Sequence, residues 1–141
     1  MRRGIREEQY NNHYRNVTPL VPRRLRFTTD ERTDARGKIL RKVSLKELAP
    51  LVKELKQEKV EALAVCFMNS CLNPENEKAA LNYLRRALPD IFITASFEVL
   101  PSIRFYERVS TTVVNAFVGP VVADYLDHLA GKLEEADFRG S

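Results

Sequence analysis

The stretch Glu98–Pro120, EVLPSIRFYERVSTTVVNAFVGP, decides how this chain is read. Leu100-Pro101-Ser102 breaks whatever precedes it, and Pro101 or Ser102 can open a helix. Apolar residues then recur at helical spacing, at Val109, Val113, Ala116 and Phe117, with Ile103 and Phe105 a turn or more earlier. Gly119-Pro120 predicts a stop, with Pro120 as the first residue of a following helix. The polar content is high: Arg104, Tyr106, Glu107, Arg108, Ser110, Thr111, Thr112 and Asn115 crowd into three turns. Thr and Ser are moderate helix formers, so propensity alone does not explain them. Either they meet polar partners in a larger protein or they face a ligand.

Downstream, Val122, Tyr125, Leu126, Leu129 and Leu133 form the apolar stripe of a last helix, from Pro120 to about Ala136. Upstream, Ile91–Ser96 reads as a short strand. Before it, Asn73 and Pro74 open a helix whose early Glu75 and Glu77 suit the positive end of the macrodipole. Leu81, Leu84 and Leu88 line its buried side, and Pro89 stops it. Val60–Met68, VEALAVCFM, is a nearly unbroken apolar run, as in a strand covered on both faces. Ser44–Glu58 predicts a helix with a capping-box spacing between Ser44 and Glu47 and a stripe of Leu48, Leu51, Val52 and Leu55. Pro50 requires that helix either to begin near Glu47 or to kink. Leu25–Arg32 and Lys38–Val43 predict a β-hairpin around Asp34–Gly37, and Leu25, Phe27 and Thr29 alternate with Arg26, Thr28 and Asp30 as in a half-buried strand.

The expected fold is therefore α/β: a hairpin, two buried parallel strands and about four helices, in one domain fragment spanning residues 1–141. Residues 1–24 form an irregular lead-in, 25–43 the hairpin and 44–141 the α/β portion. Two parallel strands make a thin sheet. Exposed apolar surface at the edges of VEALAVCFM and IFITAS is expected, with self-association as its outlet.

Composition narrows the function. The chain is 44% hydrophobic and 30% charged, which is globular usage. Residues 1–42 carry twelve Lys/Arg against five Asp/Glu, a net +7, whereas residues 43–141 carry eleven against fourteen, a net −3. A basic third suits an acidic partner or simply solvated loops, but no nucleic-acid-binding module accompanies it. The isolated cysteines, Cys66 and Cys71, and two histidines complete no zinc site. Unpaired cysteines point to a reducing, cytoplasmic setting, and no apolar run is expected to approach a membrane span. The five glycines are scattered, so neither a Walker loop nor a dinucleotide fingerprint is present. No catalytic apparatus is legible. Two places remain as candidates for lining a cleft. One is the loop after the apolar strand, with Asn69 and Ser70, since ligands bind beyond the carboxyl ends of such strands; the plain alternative is a loop that caps the next helix. The other is Glu107, Arg108, Ser110, Thr111 and Asn115, read as a polar face on a helix whose Val109, Val113 and Ala116 are buried; the alternative is a set of structural pairs.

Four stretches carry a family resemblance. EVLPSIRFYERVSTTVVNAFVGP (98–120), YNNHYRNVTPLVPRRLRF (10–27), ERTDARGKIL (31–40) and VEALAVCFMNSCLNPENE (60–77) resemble segments of the hydantoinase/oxoprolinase family, in its large ATP-dependent hydantoinase A subunits. Ketone carboxylase subunits belong to the same family. Asn69 and Asn76 stand where histidines are common, so no histidine role is carried over, and Asn11-Asn12 replaces a frequent Asp-Leu. The resemblance implies an actin-like ATPase domain of ribonuclease-H-like fold, with its phosphate-binding signature upstream of this segment and a Ser-Asn-Gly-Gly motif downstream. It implies an excised middle of that domain, with Met1 and Ser141 as cut ends, inactive by itself. The parent would hydrolyse a cyclic amide such as hydantoin or 5-oxoproline, or carboxylate a ketone, using ATP and Mg²⁺ with a hydantoinase B-type subunit. The fragment would bind neither cofactor alone. A stand-alone interaction module is the competing class.

Overall fold

A computed structural model describes residues 10–15 and 17–138. The first part of the expected lead-in, together with Met1 and Ser141, lies outside the described residues. Two small sheets are present. One pairs β1 (Arg32–Thr33) with β2 (Ile39–Arg41) in antiparallel fashion. The other pairs β3 (Ala62–Val65) with β4 (Phe92–Ala95) in parallel, Ala62 opposite Phe92 and Val65 opposite Ala95. Helices α1 (Leu45–Gln57), α2 (Glu75–Ala87), the single turn α3 (Ser96–Val99) and α4 (Phe105–Glu135) complete the chain.

The hairpin is shorter than its sequence pattern suggests. Asp34 organises the turn: its Oδ1 accepts from the amides of Arg36 and Lys38, both at 2.8 Å, and Gly37 adopts φ +80°. Leu25–Arg32 is not a strand. A 3₁₀ turn, Arg23–Leu25, opens it, and only Arg32 reaches the ladder. Its alternation is nevertheless real, because Leu25, Phe27, Thr29, Glu31 and Thr33 turn inward while Arg26, Thr28, Asp30 and Arg32 face out. The partner strand is what is missing. The chain leaves β2 at Arg41 and enters α1 at Ser44, so nothing lies opposite residues 25–31 to pair with them.

Helix α1 starts at Leu45 and runs through Pro50. Ser44 occupies the cap position, but the hydroxyl makes no capping bond; its carbonyl accepts the Glu47 amide at 3.1 Å instead. At α2, Asn73 Oδ1 accepts the Glu75 amide at 3.1 Å and Pro74 is already helical, as expected. The core joins Leu55 of α1, Leu81, Leu84 and Leu88 of α2 with its end, and Val65, Ile93 and Ala95 of the parallel pair, and Phe27 packs on its edge. Burying each such side chain is worth about 1.5–3 kcal/mol.

The largest departure is α4. Gly119-Pro120 does not end a helix; the 31-residue α4 passes through it. Proline normally excludes helix from the preceding residue through a clash with that residue's Cβ, and Gly119 has none. The remaining cost is one lost hydrogen bond and ring crowding on the preceding turn. The stripe Val122, Tyr125, Leu126, Leu129 and Leu133, expected to be buried, is exposed on the second half of the helix. Unbroken, α4 is long and apolar enough by length and composition to cross a membrane, where no run of that kind was expected. Its first half, however, is packed against β3 and β4.

Gly119 is also where α4 meets β4. A Cβ there would lie 2.2 Å from Cε1 of Phe92. Gly119→Ala is therefore expected to cost about 1–3 kcal/mol by overpacking. Adding Phe92→Leu should recover part of that loss, a non-additivity readable in paired denaturation curves.

Candidate functional site

The parallel pair brings its carboxyl ends, the β3–α2 loop and the start of α4 to one place. Two opposite charges are fully buried there, Glu77 and Arg108, each 0% exposed. Glu77 sits in the first turn of α2, where the macrodipole favours a carboxylate. Its side chain turns inward. Oε2 accepts the Phe67 amide at 2.7 Å, Oε1 accepts the Phe97 amide at 3.2 Å, and the Ser96 hydroxyl donates to Oε1 at 2.8 Å. From the other side, Arg108 donates Nη2 to the carbonyl of Phe67 at 2.6 Å and to that of Met68, and Nη1 to that of Ser102 at 2.9 Å. Its guanidinium also lies 5.4 Å from the centre of the Phe105 ring. The backbone of Phe67 thus bridges the two charges, giving its N–H to the anion and its C=O to the cation.

Ser70 closes the circuit, 3.1 Å from the carbonyl of Phe67 and 3.2 Å from the Ser96 hydroxyl. Each serine has one proton: that of Ser96 goes to Glu77 and that of Ser70 to the carbonyl of Phe67, so the contact between the two oxygens shares a proton already engaged by one of these acceptors. Cys66 is half-buried beside this ring. Desolvation pushes its thiol up to about 11 from 9.0, against smaller opposing effects of Thr112 and Arg108. At neutral pH it is a thiol rather than a nucleophilic thiolate. The circuit is closed to solvent, and it braces two loops rather than presenting a reactive group.

The expected cleft residues therefore divide. Ser70 is inside the ring. Asn69 donates to the carbonyl of Thr33 at 2.7 Å and fastens the β3–α2 loop to the hairpin. Arg108 is not on an outward polar face: with Thr112, Ala116 and Gly119 it forms the buried side of α4. Thr112 returns its hydroxyl to the Arg108 carbonyl at 2.7 Å, and Asn115 donates to Thr94 Oγ1 at 2.9 Å. Both face the sheet, so Asn115 too leaves the polar platform. Val109 and Val113, expected as the buried side, are only half-covered. Glu107 and Ser110 are half-buried and Thr111 is exposed. These three remain placed to line a cleft.

Two residues read from the sequence only as a helix-start carboxylate and a departure from the family pattern carry much of the organisation. Glu77 is one. Asn76 is the other: buried, it accepts the Val43 amide at 3.1 Å and donates to Glu31 at 2.8 Å and to the carbonyl of Arg41 at 2.9 Å. The only advance signal is the clustering of ENE at a helix start, which reads equally well as capping.

Among the described residues no group of three or more His, Cys, Asp or Glu side chains could hold a metal ion. A shallow depression on α1, lined by Pro50, Lys53, Glu54, Gln57 and Glu58, shares no residue with the buried ring. Both carboxylate oxygens of Glu77 are taken by protein donors and the cation Arg108 lies beside them, a lining that does not fit Mg²⁺ with a nucleotide.

The hydantoinase/oxoprolinase N-terminal region model matches residues 1–88, and the chain belongs to that family. It is 34% identical over 137 residues to caprolactamase subunit alpha of Pseudomonas jessenii, covering 96% of this chain and 20% of that protein. The crystal structure of the ATP-dependent caprolactamase from that organism superimposes with a TM-score of 0.83 over 94% of this chain and 19% of the other. The 5-oxoprolinase of Saccharomyces cerevisiae (strain ATCC 204508 / S288c) is 25% identical over 100 residues, 71% of this chain and 8% of its own length. A nucleotide-free acetone carboxylase structure matches with a TM-score of 0.70 at 26% identity, over 74% of this chain and 15% of that one. The chain thus spans a fifth or less of these relatives.

Two outcomes follow from the ring. Glu77→Gln turns an amide donor toward groups that are themselves donors, and should lower stability by about 3 kcal/mol. The Cys66 thiol keeps its proton in the fold after the unfolded chain has lost it. Its contribution to stability is complete below pH 9 and is lost as pH rises toward 11. Cys66→Ala should flatten that part of the stability–pH profile relative to the parent chain.

Proposed function

We propose that this chain is part of the large subunit of an ATP-dependent enzyme that hydrolyses a cyclic amide, of hydantoin, 5-oxoproline or lactam type. The observation that carries this reading is the likeness to caprolactamase, 34% identical with a TM-score of 0.83. A ketone carboxylase is the second reading, supported by the acetone carboxylase match at lower identity and coverage. In either case the domain is read as actin-like, with ATP and Mg²⁺ held by residues outside this chain, a hydantoinase B-type partner and a cytoplasmic location.

Within that enzyme the chain's part is positional. The Glu77–Ser96–Ser70–Arg108 ring fixes the loops at the carboxyl ends of β3 and β4, where ligands of open α/β sheets bind. Glu107, Ser110 and Thr111, beside the ring on α4, are assigned to the cleft. Asn69, Arg108 and Asn115 support it from behind. Rigid elements hold such groups better than loops do.

The full-length protein with its partner subunit, assayed with ATP on hydantoin, 5-oxoproline, caprolactam and a ketone with bicarbonate, decides between the readings. Turnover of an amide is expected, and carboxylation without amide hydrolysis would replace this reading with the second. In that protein Glu107→Gln and Thr111→Val should lower turnover about tenfold or more with little change in Tm, as loss of an interaction formed at the reacting centre does. A fall in Tm with normal activity per folded molecule would return both residues to scaffolding. The 141-residue chain alone is expected to show no Mg²⁺-dependent ATP turnover.

A further inference from the structure

The hairpin is joined to the body chiefly by side-chain hydrogen bonds. Its two ends are anchored by apolar contacts, since Phe27 packs on the edge of the core and Leu48 of α1 is buried. Between these anchors, residues 28–43 give no side chain to the apolar core. Three asparagines reach out from the body to hold them. Asn69 donates to the carbonyl of Thr33 at 2.7 Å, and Asn73 to that of Gly37 at 2.8 Å. Asn76 accepts the Val43 amide at 3.1 Å and donates to the carbonyl of Arg41 at 2.9 Å and to Glu31 at 2.8 Å. All three come from one short run, between the carboxyl end of β3 and the first turn of α2.

The closed hairpin also carries built-in costs. Its ladder has two pairs, Arg32 opposite Arg41 and Thr33 opposite Ile39. A ladder that short does not stand alone in water. One of its pairs sets like charges directly opposite each other, which is destabilising, and Arg41 takes its counter-charge from Asp30. The hydroxyl oxygen of Thr29 is buried with no hydrogen-bond partner, a loss that water would make good on opening. Against these costs stand neutral hydrogen bonds, whose net worth is modest because water competes for the same groups. The body, by contrast, is held by the apolar contacts of α1, α2, β3 and β4.

We propose that residues 28–43 form a flap that unlatches as one cooperative unit while β3, β4 and α2 stay folded. The ladder is too short to persist without the asparagines, so its bonds and theirs are lost together. Segments with few buried apolar contacts open in this way, at lower free energy than the body they belong to. Opening releases Asn69, Asn73 and Asn76 at the carboxyl end of β3, where their amides become free to meet a ligand. That last step rests on the cleft proposed above, whereas the opening itself does not.

Deuterium exchange of the 141-residue chain, followed by NMR at single amides, tests this. The Asp34 and Gly37 amides report the flap, because their acceptors, the carbonyls of Lys38 and Asp34, lie inside it. The Leu84 amide, buried within α2, reports the body. Asp34 and Gly37 are expected to share one protection factor, about a hundredfold or more below that of Leu84. Asn76→Ala should lower it about tenfold at both, although neither amide bonds to Asn76. Asn69→Ala, which gives up a single bond, should do the same about fivefold, and it serves if the first variant does not fold. Protection equal to that of Leu84, unequal protection at Asp34 and Gly37, or an effect of Asn76→Ala confined to Val43 overturns the proposal. In the full-length protein with its partner subunit, caprolactam with ATP should lower protection at Asp34 and Gly37 but not at Leu84. No change there overturns the link between flap and cleft, and amide turnover measured in the same sample shows separately whether the proposed activity holds.

Discussion

The guanidinium of Arg108 is the contact on which the rest of the structure depends. It is fully buried, and its hydrogen bonds end on the backbone carbonyls of Phe67, Met68 and Ser102. Those carbonyls belong to two separate loops, one after β3 and one before α4. A cation buried without compensation costs several kcal/mol, so the loops must hold their carbonyls in place for the domain to be stable. The dependence also runs in the other direction. Phe67 can offer its carbonyl to Arg108 because its amide is held by Glu77. Remove either charge and the peptide between them loses half of its support.

The same economy recurs at the start of α2, where neighbouring residues face opposite ways. Glu77 reaches under the parallel strands, while Asn76 reaches into the hairpin and fastens Glu31, Arg41 and Val43. Asn69 and Asn73 add two further ties, to the carbonyls of Thr33 and Gly37. A two-residue β1 and a three-residue β2 form a marginal hairpin by themselves. Three asparagine side chains, Asn69 and Asn73 of the β3–α2 connection and Asn76 in the first turn of α2, do the work that a longer ladder would otherwise do.

What was legible in the sequence follows from this division. Elements held by periodic apolar contacts were readable: Leu81, Leu84 and Leu88 announced α2, the run around Val65 announced β3, and Asp34–Gly37 announced its turn. The alternation of residues 25–30 was also read correctly as burial, but burial alone does not supply a pairing partner, so the strand shrank to its last residues. The family was legible because long ungapped stretches resemble it. The site was less so. Glu77 and Glu75 look alike on the page, and only the fold shows that one faces solvent while the other is sealed in. Arg108 and Asn115 were read as outward because polar side chains usually are; inside, one has backbone carbonyls and the other a hydroxyl as partner, and long-range partners leave no local trace.

Gly119-Pro120 shows why a local rule can point the wrong way. A Gly-Pro pair normally marks a helix end, since glycine is flexible and proline has no amide to give. Here the absent Cβ does two other things. It removes the clash by which proline forbids helix to its predecessor, and it lets the ring of Phe92 lie against the helix backbone. The close contact with Phe92 fixes Gly119 in place, which limits the freedom that would otherwise make glycine a break. Because the helix continues in register, the face that binds the sheet is carried beyond it unchanged. The exposed stripe on the second half of α4 is thus a consequence of how tightly the buried half of the same helix is seated.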